Sequence, residues 1–206
     1  MVKKSVILAH FRNNDSHIAA LIETIPLEEI IPRKPDEFFV SLCREIIGQQ
    51  LSGRVADIIY GRFEKLFSRK SVQPGALLSV SDAILRATGM SWSKVRFIKD
   101  LSRKVDAKEV DLLKLSGRDD AGVIAELVKI HGIGPWTAEM FLIFTLGRPD
   151  VFSYGDLGLR RGIQMLYRMK KEPSLAVMKR LTKRWQPYRS YAARLLWRYK
   201  DGALPL

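Results

Sequence analysis

The chain has 206 residues, which suits one large or two small domains with a sizeable hydrophobic core. A hydrophobic fraction of 47% excludes a disordered chain. The single cysteine, Cys43, excludes an intramolecular disulfide, a cysteine-based zinc site and a four-cysteine iron–sulfur cluster. With a single cysteine, the chain is expected in a reducing, cytoplasmic compartment. No apolar run reaches the length of a signal peptide or a spanning helix, so we expect no membrane partner.

Positive charge is concentrated in the C-terminal quarter of the chain. The formal net charge is +13, and residues 151–206 alone carry 13 basic and 3 acidic side chains, a net +10. Aromatic residues are interleaved with these cations, which favours a polyanionic partner, nucleic acid before membrane. A solvated basic helix surface is the alternative, and charge alone leaves it open. The basic residues that could contact backbone phosphates are Arg160, Arg161, Lys179, Arg180, Arg184 and Arg189.

Apolar residues recur at helical spacing along most of the chain, whereas alternating strand patterns are scarce. Residues 39–47 and 55–66 each indicate an amphipathic helix, and similar repeats follow over residues 95–105 and 124–128. No internal repeat or flexible linker is visible. We predict roughly ten short helices in an all-α fold. Residues typical of helix N-caps precede four of these helices: Ser81, Ser91, Asp119 and Asp156.

Two glycines bracket one apolar residue between two predicted helices, in the segment His131-Gly132-Ile133-Gly134-Pro135. The proline stands where the second helix begins, a position at which its missing N–H costs nothing. Glycine permits positive φ and close backbone approach, and free amides at the start of a helix can cradle a phosphate. The pattern predicts a helix-hairpin-helix that binds DNA. A simple turn between two packed helices is the alternative.

An acidic residue follows this hairpin. Asp156 stands twenty residues after Trp136, behind an apolar and aromatic loop and at the start of another predicted helix. As a helix N-cap its role would be structural. Beside a DNA-binding hairpin and aromatic side chains, the same carboxylate could stabilise a developing oxocarbenium ion or activate water. The residues alone leave both interpretations open.

The hairpin and the Asp156 segment resemble those of the helix-hairpin-helix (HhH-GPD) DNA glycosylases, specifically the 3-methyladenine DNA glycosylase II branch. Residues 46–52, 89–94 and 184–192 share the resemblance, which therefore covers almost the whole chain. Several motifs in the right order make it more specific than any single motif. It implies an all-α fold of two helical lobes. Residues 38–131 would form one lobe that leads into the hairpin, and residues 1–37 with 132–206 the other, which carries the catalytic aspartate and the basic helices.

By this resemblance Asp156 is the catalytic residue, and Trp136, Met140 and Trp197 form the base pocket. A cationic alkylated base would stack on aromatic rings through a cation–π contact worth roughly 0.5 to 2 kcal/mol. Ordinary core packing is the alternative for Met140 and Trp197. Enzymes of this fold that also cut the strand carry a lysine at the position of Trp136, and that lysine forms a Schiff base with the sugar. The tryptophan therefore implies a monofunctional enzyme that leaves an abasic site.

The resemblance also implies contacts with DNA. Gln50 lies between two predicted helices, where the family places the side chain that fills the gap left by a flipped nucleotide, and Leu51 is the second choice for this wedge. A buried amide that caps a helix end is the alternative for Gln50. The hairpin carbonyls could hold a monovalent cation, but the three histidines lack the spacing of a zinc site. The hairpin residues expected to bind DNA are His131, Gly132, Gly134 and Thr137.

The implied function is hydrolysis of the N-glycosidic bond of alkylated purines, of the 3-methyladenine type, in duplex DNA, which begins base excision repair. We expect a monomer that requires no cofactor, whose partner is double-stranded DNA containing alkylated bases and which associates with the nucleoid in a prokaryote. One alternative is a glycosylase for another lesion, such as uracil or a mismatched base. The other is a non-catalytic helix-hairpin-helix DNA-binding protein, for which Asp156 would have no chemical role.

Overall fold

The computed structural model describes residues 3–67 and 72–202. Within these ranges the chain forms α-helices and two 3-10 helices, with no β-strand, so the predicted all-α class is confirmed. No helix in these two ranges is long and apolar enough to cross a bilayer. Twelve α-helices are described rather than roughly ten. They are α1 (Lys4–Asn14), α2 (Ser16–Thr24), α3 (Phe38–Gly48), α4 (Gly53–Glu64), α5 (Pro74–Ser79), α6 (Asp82–Ala87), α7 (Trp92–Asp106), α8 (Asp120–Leu127), α9 (Pro135–Phe144), α10 (Leu157–Leu166), α11 (Leu175–Lys183) and α12 (Arg189–Lys200), and the 3-10 helices are Pro35–Glu37 and Leu112–Gly117.

The chain divides into two compact units. The central unit is Arg33–Leu146, and the terminal unit combines Met1–Pro32 with Gly147–Leu206. The boundaries expected from the sequence, after residues 37 and 131, differ from these, because the hairpin and α9 belong to the central unit. There α9 packs against α3 and α8, and Phe141 meets Phe38 edge to face at a centroid distance of 5.5 Å. This apolar packing decides which unit holds the hairpin.

Helix α7 organises the central unit through three lysines that bind the ends of other helices. Lys94 donates from Nζ to the carbonyls of Ile47 and Gln49, at 2.7 and 2.6 Å, where α3 ends. Lys99 donates to three carbonyls at the end of α5, and Lys104 donates to a carbonyl that follows α8. Such carbonyls lack intrahelical donors and carry partial negative charge, so a cation is favoured there. Successive lysines are five residues apart, so each points about 140° further around α7 and reaches a different neighbour.

A buried aspartate joins the N-terminal and C-terminal helices within the terminal unit. Asp15 is 4% exposed and caps α2 by accepting from the amides of His17 and Ile18. Its Oδ2 accepts from the indole Nε1 of Trp185 at 2.9 Å and from the hydroxyl of Tyr167. Burial, and then the hydrogen bond to Asp15, raises the pKa of Tyr167. Four donors therefore compensate one carboxylate that has lost most of its water.

Replacing Asp15 with alanine should destabilise the protein, because two amides, an indole N–H and a hydroxyl would lose their acceptor. We expect the free energy of unfolding, measured by urea titration, to fall by about 3 kcal/mol. Glu23→Ala is the matched control, since Glu23 lies on α2 and forms an exposed ion pair with Arg12. In Glu23→Ala the free energy of unfolding should fall by less than about 0.5 kcal/mol. If the free energy of unfolding fell equally in the two variants, the hydrogen bonds of Asp15 would not be important for stability.

Candidate functional site

The predicted hairpin lies between α8 and α9. Gly132 adopts a φ of +88°, and a Cβ built on it would lie 2.2 Å from Cγ of Phe97, so both the backbone and the space require glycine. Gly134 is the N-cap of α9, and a Cβ there would have no heavy atom within 4 Å. His131 is exposed, and its ring packs edge to face with that of Phe97 at 4.9 Å between centroids. Phe97 therefore supports the hairpin from α7.

Two polar side chains hold the hairpin backbone in place. Asp100 of α7 accepts from the amide of His131 at 2.7 Å. Burial of Asp100 opposes its charge, but hydrogen bonds from the His131 amide and from Lys104 outweigh burial and hold its pKa below the ordinary value. Gln49 donates from Nε2 to the carbonyl of Gly132 at 2.9 Å and to Oγ1 of Thr137 at 3.1 Å. The hairpin is thus bound from both α7 and the end of α3.

Thr137 is buried, unlike His131 and Gly134, which are exposed residues of the hairpin and were predicted with it to bind DNA. Its side chain is 3% exposed, and its hydroxyl accepts the hydrogen bond from Gln49, so it braces the hairpin from within. Its backbone amide lies in the first turn of α9, where amides lack an intrahelical acceptor. The DNA contact expected of Thr137 stays a prediction, and it concerns the amide rather than the hydroxyl.

The loop between α3 and α4 presents Gln50 to solvent. Gln50 adopts a φ of +58°, unusual for a residue with a side chain, and both Gln50 and Leu51 are exposed. The preceding residue is fixed from two sides: Lys94 binds the carbonyl of Gln49, and the Gln49 amide reaches the hairpin. Burial lowers the pKa of Lys94. Gln50 itself is exposed, and a part-buried amide with hydrogen bonds is found one residue earlier, at Gln49.

Asp156 lies at the N-terminus of α10 in the terminal unit. It is 8% exposed, and its Oδ1 accepts from the amide of Leu159 at 2.7 Å and from the indole Nε1 of Trp197 at 3.1 Å. Phe152 and Tyr154, in the loop before it, meet edge to face at 5.2 Å. The carboxylate of Asp156 therefore both caps α10, as the sequence predicts, and contacts an aromatic side chain, that of Trp197.

The predicted pocket residues are divided between the two units. Trp136 and Met140 lie one turn apart on α9 in the central unit, whereas Trp197 lies on α12 in the terminal unit. Trp136 is 41% exposed, as a side chain that contacts a ligand can be. Met140 is 4% exposed, a burial expected of core packing. Trp197 is half-buried, and its polar edge faces Asp156.

Part of the C-terminal positive charge is used inside the terminal unit. Arg189 binds Asp150 through two parallel contacts, at 2.7 Å from Nε and 3.0 Å from Nη2. Arg194 and Arg198 both pair with Glu28, at 2.9 and 3.1 Å. Arg189 was one of the residues that could contact phosphates, and its guanidinium is committed to Asp150 instead. Four residues of that set are exposed: Arg161, Lys179, Arg180 and Arg184.

Residues 3–67 and 72–202 contain no group of three or more His, Cys, Asp or Glu side chains that could hold a metal ion. One hairpin carbonyl, that of Gly132, already accepts from Gln49. The monovalent cation expected at the hairpin stays a prediction.

Three polar residues of the site were missed by sequence reasoning: Gln49, Lys94 and Asp100. Gln49 and Lys94 both lie in segments that carry the family resemblance, which was the available signal. The two side chains bind main-chain atoms that are distant in the sequence. Such contacts cannot be predicted from the residue type alone. Asp100 carried no comparable signal, because an aspartate in the middle of an amphipathic helix normally faces solvent.

Comparison with known proteins assigns the chain to a family. Residues 43–187 match the profile of the HhH-GPD superfamily base excision DNA repair proteins. The match covers well over half of the chain and includes the α3–α4 loop, the hairpin and Asp156. The chain belongs to this superfamily.

Curated relatives and solved structures agree with this assignment. A Bacillus subtilis relative is 33% identical over 159 residues, covering 74% of this chain and 55% of that protein. DNA-3-methyladenine glycosylase 1 of Schizosaccharomyces pombe is 32% identical over 168 residues, covering 79% and 72%. The chain thus spans about half to three quarters of the length of these two relatives.

Two solved structures resemble the chain along nearly its full length. A DNA-3-methyladenine glycosidase from Bacillus halodurans has a TM-score of 0.80 at 37% identity, covering 98% of this chain and 92% of that one. The Schizosaccharomyces pombe 3-methyladenine DNA glycosylase in complex with abasic DNA has a TM-score of 0.83 at 25% identity, covering 98% and 100%.

Gly132→Ala should destabilise the hairpin, because alanine would require a positive φ and its methyl would overlap the Phe97 ring. We expect the free energy of unfolding to fall by at least about 2 kcal/mol in urea titration. Gly134→Ala is the matched control, since its methyl would enter open space at an ordinary φ of −94°. Its effect should stay below about 1 kcal/mol. Similar unfolding energies for the two variants would refute the requirement for glycine at position 132.

Proposed function

We propose that the chain is a monofunctional DNA glycosylase that hydrolyses the N-glycosidic bond of alkylated purines in duplex DNA. The observation that carries the proposal is the buried carboxylate of Asp156 at the start of α10, hydrogen bonded to the indole of Trp197, in a chain that also folds the family's hairpin. The names of the relatives support it, since they act on 3-methyladenine. A solved relative bound to abasic DNA, which is what base release leaves, supports it further.

The chemistry suits a single carboxylate. An N-alkylated purine is cationic, so it leaves as a neutral base when the bond to C1′ breaks and its electron pair stays with the base. The sugar then carries an oxocarbenium charge, and addition of water with loss of a proton completes the abasic site. Asp156 would stabilise the sugar cation, and a carboxylate shielded from water interacts more strongly with a cation than one in bulk solvent. The proposed reaction consumes only water.

The aromatic residues would bind the damaged base. We propose that the exposed indole of Trp136 and the half-buried indole of Trp197 would each contribute a cation–π contact to a positively charged purine, whereas the burial of Met140 favours packing in the core of the central unit. A neutral purine would gain less from the same rings, so these contacts would favour alkylated bases. Trp136 also supports a monofunctional reaction, because it offers no amine to form a Schiff base with the sugar.

The central unit would bind and distort the duplex. Amides in the first turn of α9, which lack an intrahelical acceptor, would contact phosphates, and such contacts fix the position of a protein on DNA without reading its sequence. Gln50, exposed and held in a left-handed conformation, would fill the gap left by the everted nucleotide. Flipping costs a few kcal/mol, and less for a damaged base. We propose that one copy of the chain suffices for these contacts.

Incubation with methylated duplex DNA tests the proposed activity. Chromatography should identify 3-methyladenine among the released bases, and the DNA strand should stay intact on a denaturing gel until alkali is added. Release of uracil or a mismatched base alone, from duplexes that contain those lesions, would replace the proposed substrate with another. Tight binding without release of any base would instead indicate a DNA-binding protein without catalysis.

Asp156→Asn tests the catalytic role. Asparagine also caps helices, so the fold and the affinity for an abasic duplex should be retained, whereas base release should fall by at least about a thousandfold without the negative charge. Asp119→Asn is the matched control, because Asp119 caps α8 by accepting from the amide of Gly122. Its rate should equal that of the unmodified chain. Normal turnover by Asp156→Asn would remove Asp156 from the mechanism.

Gly134→Arg tests the phosphate contact of the hairpin. The bulky side chain would stand over the first amides of α9, so affinity should fall about tenfold or more for every duplex sequence, as fluorescence anisotropy would measure. Gly117→Arg adds the same charge at a glycine with no heavy atom within 4 Å of its Cβ, and its affinity should not fall. Unchanged affinity of Gly134→Arg would exclude the hairpin from phosphate binding.

A further inference from the structure

Two glycines of α10 allow α12 to approach closely. Gly158 and Gly162 lie one turn apart, and α10 and α12 pack against each other within the terminal unit. A Cβ on Gly162 would lie 3.1 Å from both Cβ and the carbonyl oxygen of Leu196. A Cβ on Gly158 would lie 3.1 and 3.2 Å from Cδ1 and Nε1 of Trp197. Neither glycine has a positive φ, so the neighbouring helix, rather than the backbone, explains their small size.

Gly158 also adjoins the proposed catalytic carboxylate. A Cβ at this position would lie 3.0 Å from Oδ1 of Asp156, and this same oxygen accepts from Nε1 of Trp197 at 3.1 Å and from the amide of Leu159 at 2.7 Å. Any side chain at position 158 would therefore enter the space in which the indole N–H meets the carboxylate. The carboxylate is also held by the Leu159 amide in the first turn of α10. A side chain at position 158 would therefore displace the indole or stretch its hydrogen bond to Asp156.

We propose that Gly158 and Trp197 are positioning residues for Asp156: Gly158 leaves the space that the indole occupies, and the indole N–H fixes the orientation of the carboxylate toward the sugar. This inference rests on the proposed glycosylase activity. It gives Trp197 a role through its polar edge, in addition to any stacking of its ring on the base. It also means that Gly158, which has no side chain, affects the rate of base release.

A double-mutant cycle tests the inference, using Gly158→Ala, Trp197→Phe and the combined variant. Single-turnover base release from methylated DNA should fall about tenfold for Gly158→Ala, because the added methyl would displace the indole or the carboxylate by a few tenths of an ångström and weaken their hydrogen bond. Trp197→Phe keeps an aromatic ring but removes the donor, and its rate should fall about tenfold or more. The dissociation constant for an abasic duplex should change less than threefold in each case, which separates positioning from binding.

The combined variant distinguishes positioning from general structural damage. If Gly158 acts through the indole hydrogen bond, adding Gly158→Ala to Trp197→Phe should lower the rate far less than it does in the unmodified chain. Gly61→Ala is the matched helical control, because a Cβ at Gly61 in α4 has no heavy atom within 4 Å. It should leave the rate unchanged in both backgrounds. Rate effects of Gly158→Ala and Trp197→Phe that simply multiply would overturn the proposal.

The indole N–H resonances provide a test that needs no activity. In Gly158→Ala the Trp197 resonance should shift in the nitrogen–proton spectrum, whereas that of Trp185, which donates to Asp15, should stay in place. An unshifted Trp197 resonance, or a normal rate for Gly158→Ala or Trp197→Phe, would overturn the proposal. Trp197→Phe adds no bulk, so its rate decides the question even if Gly158→Ala does not fold. Absence of base release from the unmodified chain would instead contradict the proposed function, and the spectra would still report whether Gly158 controls the hydrogen bond.

Discussion

Unpaired backbone groups at the ends of helices are the constraint on which this structure depends. A chain of many short helices has many such ends, and each buried end needs a partner from outside its own helix. In the central unit α7 supplies three lysines for this purpose, and Asp100 on the same helix holds the hairpin amide. The two loops proposed to touch DNA are therefore fixed by the interactions that stabilise the unit, which favours a binding surface formed before DNA arrives.

The terminal unit uses one arrangement twice. Asp15 and Asp156 each cap a helix, and each also accepts a hydrogen bond from an indole later in the chain: Trp185, between α11 and α12, or Trp197, in α12. Asp15 has a tyrosine hydroxyl as a further donor and lies in the core. Asp156 lies beside an aromatic loop at the start of α10. The same local chemistry thus serves stability at one position and, in the proposed mechanism, catalysis at the other.

Local signals predicted much of this molecule. Ser81, Ser91, Asp119 and Asp156 each accept from an amide in the first turn of the expected helix, because a cap is decided by neighbours in the sequence. Gly132 and Pro135 likewise identified the hairpin. The contacts of Gln49 and Asp100 with the hairpin join residues 83 and 31 positions apart, so no local pattern encodes them. The placement of α9 in the central unit depends on contacts of the same kind, since α9 packs on α3 and α8.

The central unit interrupts the terminal one, and this has a consequence for synthesis of the chain. The amide of Arg33 donates to the carbonyl of Thr145 at 2.8 Å, so the first and last segments of the central unit lie side by side. Everything this unit needs has left the ribosome once Leu146 has emerged. Phe11 and Ile18, by contrast, belong to a core completed by Trp185 and Leu196, so at ordinary translation speeds α1 and α2 wait roughly 10 to 35 seconds for their partners. During that interval their apolar faces are available to chaperones.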